Sequence, residues 1–319
     1  VTVDALAKGI VAGDRRALAR GLSLVEAGAA DGAALLDAVR SRLGRARRIG
    51  VTGPPGAGKS SLVNALVREA RAAGVEVAVL AVDPSSPFSG GALLGDRVRM
   101  SEHALDRGVF IRSQASRLAM GGLAATSHDM TDLLDAAGFD LVVVETVGVG
   151  QSELEIVRQA DVTAIVLAPS MGDMVQAMKA GLVEAGDVVV VNKGDLPGAA
   201  SCRDEIVAAF GMTAESGGAA RADDVLLVSA ATGDGVKELL ARLRSIPDVV
   251  VAERRIAADA RRVDAAVVRA LADLRLKPAA ASLAATLTPA VRRGDVSLEE
   301  AVRTIVAAAV GPDREARRP

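Results

Sequence analysis

Gly53-Pro54-Pro55-Gly56-Ala57-Gly58-Lys59-Ser60-Ser61 is the stretch that decides the fold. A short apolar run, Ile49 to Thr52, leads into it, and a helical pattern, Ser61 to Ala73, leads out. The spacing is that of the phosphate-binding P-loop, in the strand-loop-helix setting the motif requires. Glycines let the backbone curl so that successive N–H groups point at phosphate oxygens, and the helix N-terminus adds its partial positive charge. In such a loop Lys59 bridges the β- and γ-phosphates and Ser60 ligates Mg2+.

Outward from this loop, Val-rich runs at 49–52, 76–82, 109–111, 141–145, 162–168, 187–192 and 225–229 read as strands separated by helix-length segments. That alternation predicts an α/β fold with a mostly parallel central sheet flanked by helices on both faces. Before it, residues 3–45 read as helices, with Leu18, Leu22, Val25, then Leu35, Val39 and Leu43 at helical spacing. The basic run Arg45, Arg47, Arg48 reads as a solvated junction. After Pro247 the strands stop. Ile256, Val263, Val267, Leu271 and Leu274 form an amphipathic pattern that Lys277-Pro278 breaks, and Ser297-Leu298-Glu299-Glu300 is a capping box opening a last helix. The apolar face of that helix, Ala301, Val302, Ile305, Val306 and Ala309, packs either on the core or on a second copy of the chain. The expected division is a helical extension over 1–46, a P-loop domain over 47–247 and a helical extension over 248–319.

A second motif, Asn192-Lys193-Gly194-Asp195, closes the apolar run Val188 to Val191. A carboxylate at Asp195 accepts two hydrogen bonds from the N1–H and 2-amino groups of guanine, whereas adenine offers an acceptor at N1 and no 2-amino group. Asn192 is expected to brace the loop and meet the N7 side, and the Lys193 stem to lie over the base. Ser229-Ala230-Ala231 follows another strand and resembles the loop whose backbone N–H meets guanine O6. Between these motifs lie the candidate metal carboxylates. Asp83 and Glu145 end apolar runs, so both project toward the nucleotide crevice. Asp96 is a third candidate, and Gly148, three residues after Glu145, can sense the γ-phosphate through its N–H. Capping of helices or turns is the alternative role for these acids.

The composition narrows the class further. Among 319 residues, 38 Lys and Arg face 40 Asp and Glu, and Tyr and Trp are absent. Neither a basic face nor an aromatic platform for nucleic acid is present. One cysteine, Cys202, excludes an intrachain disulfide, and with only His103 and His128 there is no His-rich metal cluster. No apolar run reaches the length of a membrane span, and the first residues show no signal-peptide layout, so a cytoplasmic setting is expected.

The strings GPPGAGKSS (53–61), DPSSPFSGGALLGDRVRM (83–100), ETVGVGQSE (145–153), MGDMVQAMKAG (171–181) and NKGD (192–195) together resemble the methylmalonyl-CoA mutase-associated GTPases. These are the MeaB/ArgK-like branch of the metallocentre-chaperone P-loop GTPases. The resemblance implies a homodimer formed through the C-terminal helices, which gates adenosylcobalamin loading into an acyl-CoA mutase, with methylmalonyl-CoA mutase the leading candidate. It places Lys59 and Ser60 in the P-loop, Asp83, Asp96 and Glu145 among the magnesium and switch carboxylates, and Asn192, Lys193 and Asp195 in the guanine reader. Gln176 and Lys179 match a mobile switch coupled to the partner, their alternative being a plain helix surface. No D-x-H-x-x-G cobalamin-ligand string occurs, so any cobalamin belongs to the partner. Position 149 is Val where Ras-type proteins place a water-positioning Gln, and Gln151 lies two residues on, so slow turnover without a partner is expected. Two other readings are a nucleotide-dependent kinase or ATPase linked to basic amino-acid transport, and a nucleotide-gated scaffold.

Overall fold

Seven short Val-rich strands and the helices between them carry the architecture, seen here in a computed structural model. It describes residues 2–84, 101–103, 105–116, 122–146, 152–169, 182–215 and 222–259, with isolated positions from 286 to 304. The strands are β1 (Arg47–Thr52), β2 (Val77–Pro84), β3 (Val109–Ser116), β4 (Leu141–Thr146), β5 (Val162–Leu167), β6 (Val188–Val191) and β7 (Val225–Leu227). The helices are α1 (Val3–Val11), α2 (Arg15–Glu26), α3 (Ala30–Val39), α4 (Lys59–Ala72), α5 (Gly122–Ala136), α6 (Ser152–Gln159), α7 (Leu182–Ala185), α8 (Ala199–Glu215) and α9 (Val236–Arg244). A further helix, α10, covers 248–259.

The strands lie in the order β3-β2-β4-β1-β5-β6-β7, and every pairing is parallel. Strands β4, β5 and β6 are buried along their whole length, as a sheet covered on both faces requires. Alternate residues serve opposite faces. Ile49, Val51, Val143 and Val166 pack toward α4 and α9, while Leu80, Val142 and Val144 pack toward α5 and the N-terminal helices. Gly50 of β1 points at α6, where an added Cβ would sit 3.0 Å from Ala160 and 3.1 Å from Ile156, so the glycine sets how closely this helix approaches.

All seven strand expectations correspond to strands, with two informative differences in length. Strand β3 runs on to Ser116 because Arg112, Ser113 and Gln114 continue the ladder opposite Leu80, Ala81 and Val82, although their side chains broke the apolar pattern. Strand β7 stops at Leu227, and Val228 and Ser229 turn into a loop. The N-terminal helices begin at side-chain caps, Thr2 for α1 and Asp14 for α2. Their residues Leu6, Ile10, Leu18, Leu22, Leu35 and Val39 share one core with Met130, Leu133 and Leu134 of α5 and with the sheet. Val1–Arg255 forms one compact unit and Ile256–Pro319 a second. The expected pattern Val263 to Leu274, the Lys277-Pro278 break and most of the capping-box helix lie outside the described residues.

The junction at Arg45 to Arg48 is only half solvated, which corrects the sequence expectation. Arg48 is buried, and its guanidinium bonds Asp132 at 2.7 Å and Asp135 at 3.3 Å, both on α5. Asp135 also accepts the backbone N–H groups of Gly44, Arg45 and Ala46. Arg47 reaches Asp248 and the Ile246 carbonyl. The pattern of apolar residues could not show this, because the partners of Arg48 lie 84 and 87 residues away. Arg48→Ala leaves two carboxylates buried without their cation, and a loss of about 3–5 kcal/mol is expected. A lowered urea midpoint with unchanged slope is the measurement that checks it.

A repeated device fixes the N-terminal edge of the sheet. Asp140, Asp161 and Asp187 each stand immediately before a strand, and each accepts a backbone N–H from the start of an adjacent strand: Glu76, Arg48 and Thr163 respectively. Each Asp N–H in turn donates to the carbonyl of that same neighbour. Asp161 and Asp187 are also clasped by Arg255 and Arg254 of α10.

Candidate nucleotide-binding site

The site grows from the C-terminal ends of β1, β4, β6 and β7, where strand order reverses about β1, the position at which open parallel sheets take their ligands. Beyond Thr52 the chain turns at Gly53, whose φ is 140° and whose added Cβ would overlap the Val166 carbonyl of β5. Gly58, at φ 89°, begins α4 without a side-chain cap, leaving the first helical N–H donors for an anion. Lys59 is buried and curls over the loop, its Nζ donating to the carbonyls of Gly53 at 2.7 Å and Pro54 at 3.0 Å. Pro55 and Gly56 are exposed at the loop tip, and Ser61 is exposed in the first turn of α4.

Ser60 and Glu145 come together: Ser60 Oγ donates to Glu145 Oε1 at 2.6 Å. Glu145 is 4% exposed, at the end of β4 and paired in register with Val51 of β1. Both groups are hard oxygen donors, the set that suits Mg2+. No cluster of three or more His, Cys, Asp or Glu occurs among the described residues. A cation that takes most of its ligands from phosphate and water needs no such cluster, so the residues fit Mg2+. Asp83 lies in β2 one residue beyond the Val82–Thr146 pair, so its backbone reaches the same edge. Asp96, Gly148, Val149, Gln151, Gln176 and Lys179 lie outside the described residues.

Asn192 joins the base-reading loop to the phosphate loop. Its backbone continues the sheet, N–H to the Leu167 carbonyl at 2.8 Å. Its side-chain Nδ2 donates to the carbonyls of Ala57 at 2.9 Å and Gly58 at 3.3 Å, while Oδ1 accepts the Ala230 N–H at 3.1 Å. One amide therefore ties three loops. An added Cβ on Gly58 would collide with that same Nδ2, so the glycine makes room for the tie. Lys193 takes φ 59°, the one non-glycine positive φ among the described residues. That turn brings Asp195 to face Ser229, whose Oγ donates to Asp195 Oδ1 at 2.6 Å. Ser229 Oγ in turn accepts the Thr232 N–H at 3.2 Å, and Ala231 is exposed beside it.

Sequence reading missed the residues that hold these groups from behind. Thr52 and Thr146, both fully buried, bond through their hydroxyls at 2.8 Å. Thr232 and Asp234 close the loop around Ser229. Glu102 follows the 85–100 stretch and is held on α4 by Arg68, whose hydrogen bond keeps this carboxyl below the usual carboxylate range. Only the flanking motifs hinted at these partners, because threonines carry no recognisable spacing.

Comparison with known proteins agrees with this fold. The family model described as Methylmalonyl Co-A mutase-associated GTPase MeaB matches residues 18–283. A chain from Caulobacter vibrioides, named only as a GTPase, is 40% identical over 96% of this chain and 97% of its own length. The mouse protein named methylmalonic aciduria type A homolog, mitochondrial, is 33% identical over 80% of this chain and 66% of its own length. Among solved structures, one described as LAO/AO transport system kinase superposes with a TM-score of 0.70 at 27% identity, covering 95% of this chain and 96% of that one.

Proposed function

Because the chain belongs to the family of methylmalonyl-CoA mutase-associated P-loop GTPases, we propose that it is a GTP-hydrolysing chaperone that gates adenosylcobalamin loading into an acyl-CoA mutase and protects that enzyme. Methylmalonyl-CoA mutase is the partner that the family description supports. The observation that carries the nucleotide part is the Asn192 amide, which holds the phosphate loop, the Asp195 loop and the Ser229 loop at one point.

In this reading GTP enters with its phosphates on the 53–60 backbone N–H groups, and Lys59 swings from the loop carbonyls to the β- and γ-phosphates. Asp195, oriented by Ser229, accepts the N1–H and 2-amino groups of guanine, while the Ser229-Ala230-Ala231 loop turns a backbone N–H toward O6. Ser60, Glu145, Asp83 and Asp96 would hold Mg2+, which would neutralise charge developing on the phosphates. Water attacks the γ-phosphorus as its bond to the β–γ bridging oxygen breaks, so that GDP leaves, inorganic phosphate forms and the water proton passes to phosphate or solvent, while Lys59, the loop N–H groups and the Gly148 N–H absorb the developing charge. Turnover is slow until a partner rearranges the site, and Gln176 and Lys179 couple the nucleotide state to that partner. The protein is a cytoplasmic homodimer joined by its C-terminal helices and holds no cobalamin itself. Among the described residues no helix is long and apolar enough to cross a membrane.

The kinase reading takes its support from the superposed structure, which is named as a transport system kinase. The Asp195 carboxylate, oriented by the Ser229 hydroxyl, disfavours it, because adenine does not offer the pair of donors that guanine does. Co-purification from cell extract over the immobilised protein, with and without a non-hydrolysable GTP analogue, tests the chaperone role. Capture of an adenosylcobalamin-dependent mutase that changes with nucleotide supports it. Absence of any mutase in both conditions overturns the chaperone role and leaves nucleotide hydrolysis standing.

A further inference from the structure

The main-chain ladder between β1 and β4 ends at Val51 and Glu145. One residue further, β1 pairs with β5 through Thr52 and Ile165, and β4 pairs with β2 through Thr146 and Val82. The two strands that carry the phosphate loop and the metal carboxylate thus part company just where the chemistry begins. A side-chain contact directly between the two strands spans the gap. Thr146 Oγ1 donates to Thr52 Oγ1 at 2.8 Å, with the two residues 1% and 0% exposed. Thr52 is the residue before Gly53, and Thr146 is the residue after Glu145 and two before Gly148.

We propose that the Thr52–Thr146 hydroxyl pair is a latch that positions the Glu145 carboxylate against the phosphate loop. The inference rests on the GTPase reading and adds positioning residues to it. Two features make the role specific. A hydroxyl this buried is costly to leave unpaired, so the bond is strongly held. The bond also parallels the Ser60–Glu145 contact, so the same two segments are joined twice, once at the metal ligands and once behind them. Slippage at the rear contact tilts the front one. Misplacement of a reacting group by about 1 Å can cost roughly 100-fold in rate. Base recognition lies across the sheet on β6 and β7, where Asn192, Asp195 and Ser229 are held by other bonds.

The test is a double-mutant cycle with Thr52→Val, Thr146→Val and both together, alongside the conservative Thr146→Ser. Single-turnover GTP hydrolysis and the Mg2+ concentration that half-maximally slows release of a fluorescent GDP are measured for each, with GDP affinity in the absence of Mg2+ as the control. The latch predicts that Thr146→Val lowers the hydrolysis rate by about 10- to 100-fold and raises the Mg2+ midpoint severalfold, with metal-free GDP affinity within about twofold. It also predicts that Thr146→Ser restores wild-type values, and that the double variant is no worse than either single one. Wild-type rate and Mg2+ midpoint in Thr146→Val would overturn the latch, as would a fall in metal-free GDP affinity that matches the fall in rate. Fully additive losses in the double variant would overturn it too. Failure of the wild-type protein itself to bind or hydrolyse GTP is a separate result, and it would remove the GTPase reading along with the latch.

Discussion

Lys59→Ala is expected to lower the single-turnover rate of GTP hydrolysis by about 100- to 1000-fold, the cost of deleting one preorganised donor to transition-state charge. The residue is buried, and its ammonium donates to the carbonyls of Gly53 and Pro54, both within the loop it must serve. Exchanging those neutral acceptors for phosphate oxygens replaces ordinary hydrogen bonds with stronger ones between opposite charges. The exchange gains most where the γ-oxygens become more negative, so the loss falls on the rate more than on GDP binding. Rapid-quench assays at saturating GTP check the first effect, and GDP titration checks the second. Parallel losses in both would assign Lys59 to uniform binding rather than to the transition state.

Asp195→Asn is expected to exchange one base for another. In the proposed complex both carboxylate oxygens of Asp195 face guanine donors, and each charged hydrogen bond contributes about 1.5–3 kcal/mol. An amide keeps an acceptor for N1–H but turns a donor toward the 2-amino group, so GTP affinity falls by about 100-fold or more. Xanthine carries a carbonyl at that position and pairs with the new donor. Ser229 can still donate to the amide oxygen, as it does to Asp195 Oδ1, so the orientation survives. Competition binding should therefore show xanthosine triphosphate overtaking GTP in the variant. Unchanged GTP affinity would remove Asp195 from base recognition.

Much of this fold was legible because its signals are local. The P-loop, the Asn192 to Asp195 string and seven Val-rich runs each sit within a few residues, and the strands they implied all occur. What escaped was tertiary. The Asn192 tie reaches a loop 135 residues earlier in the chain and another 38 later. Helix α5 buries Ser127, His128, Thr131, Asp132 and Asp135 as well as its apolar Met130, Leu133 and Leu134, because Arg48 and three backbone N–H groups are there to receive the carboxylates. The strand-start aspartates were visible as Asp140-Leu141, Asp161-Val162 and Asp187-Val188. Their repetition gained meaning only with strand order, since each one caps a neighbour in the sheet rather than in the sequence.

Whether the three loops tied at Asn192 form a guanine-specific nucleotide site is open to a direct measurement: titration calorimetry of the wild-type protein with GDP and with ADP, in one buffer containing Mg2+. GDP is expected to bind at least about 100-fold more tightly, because adenine leaves the Asp195 carboxylate without its two donors. Equal dissociation constants, or tighter ADP, would contradict guanine recognition at this site.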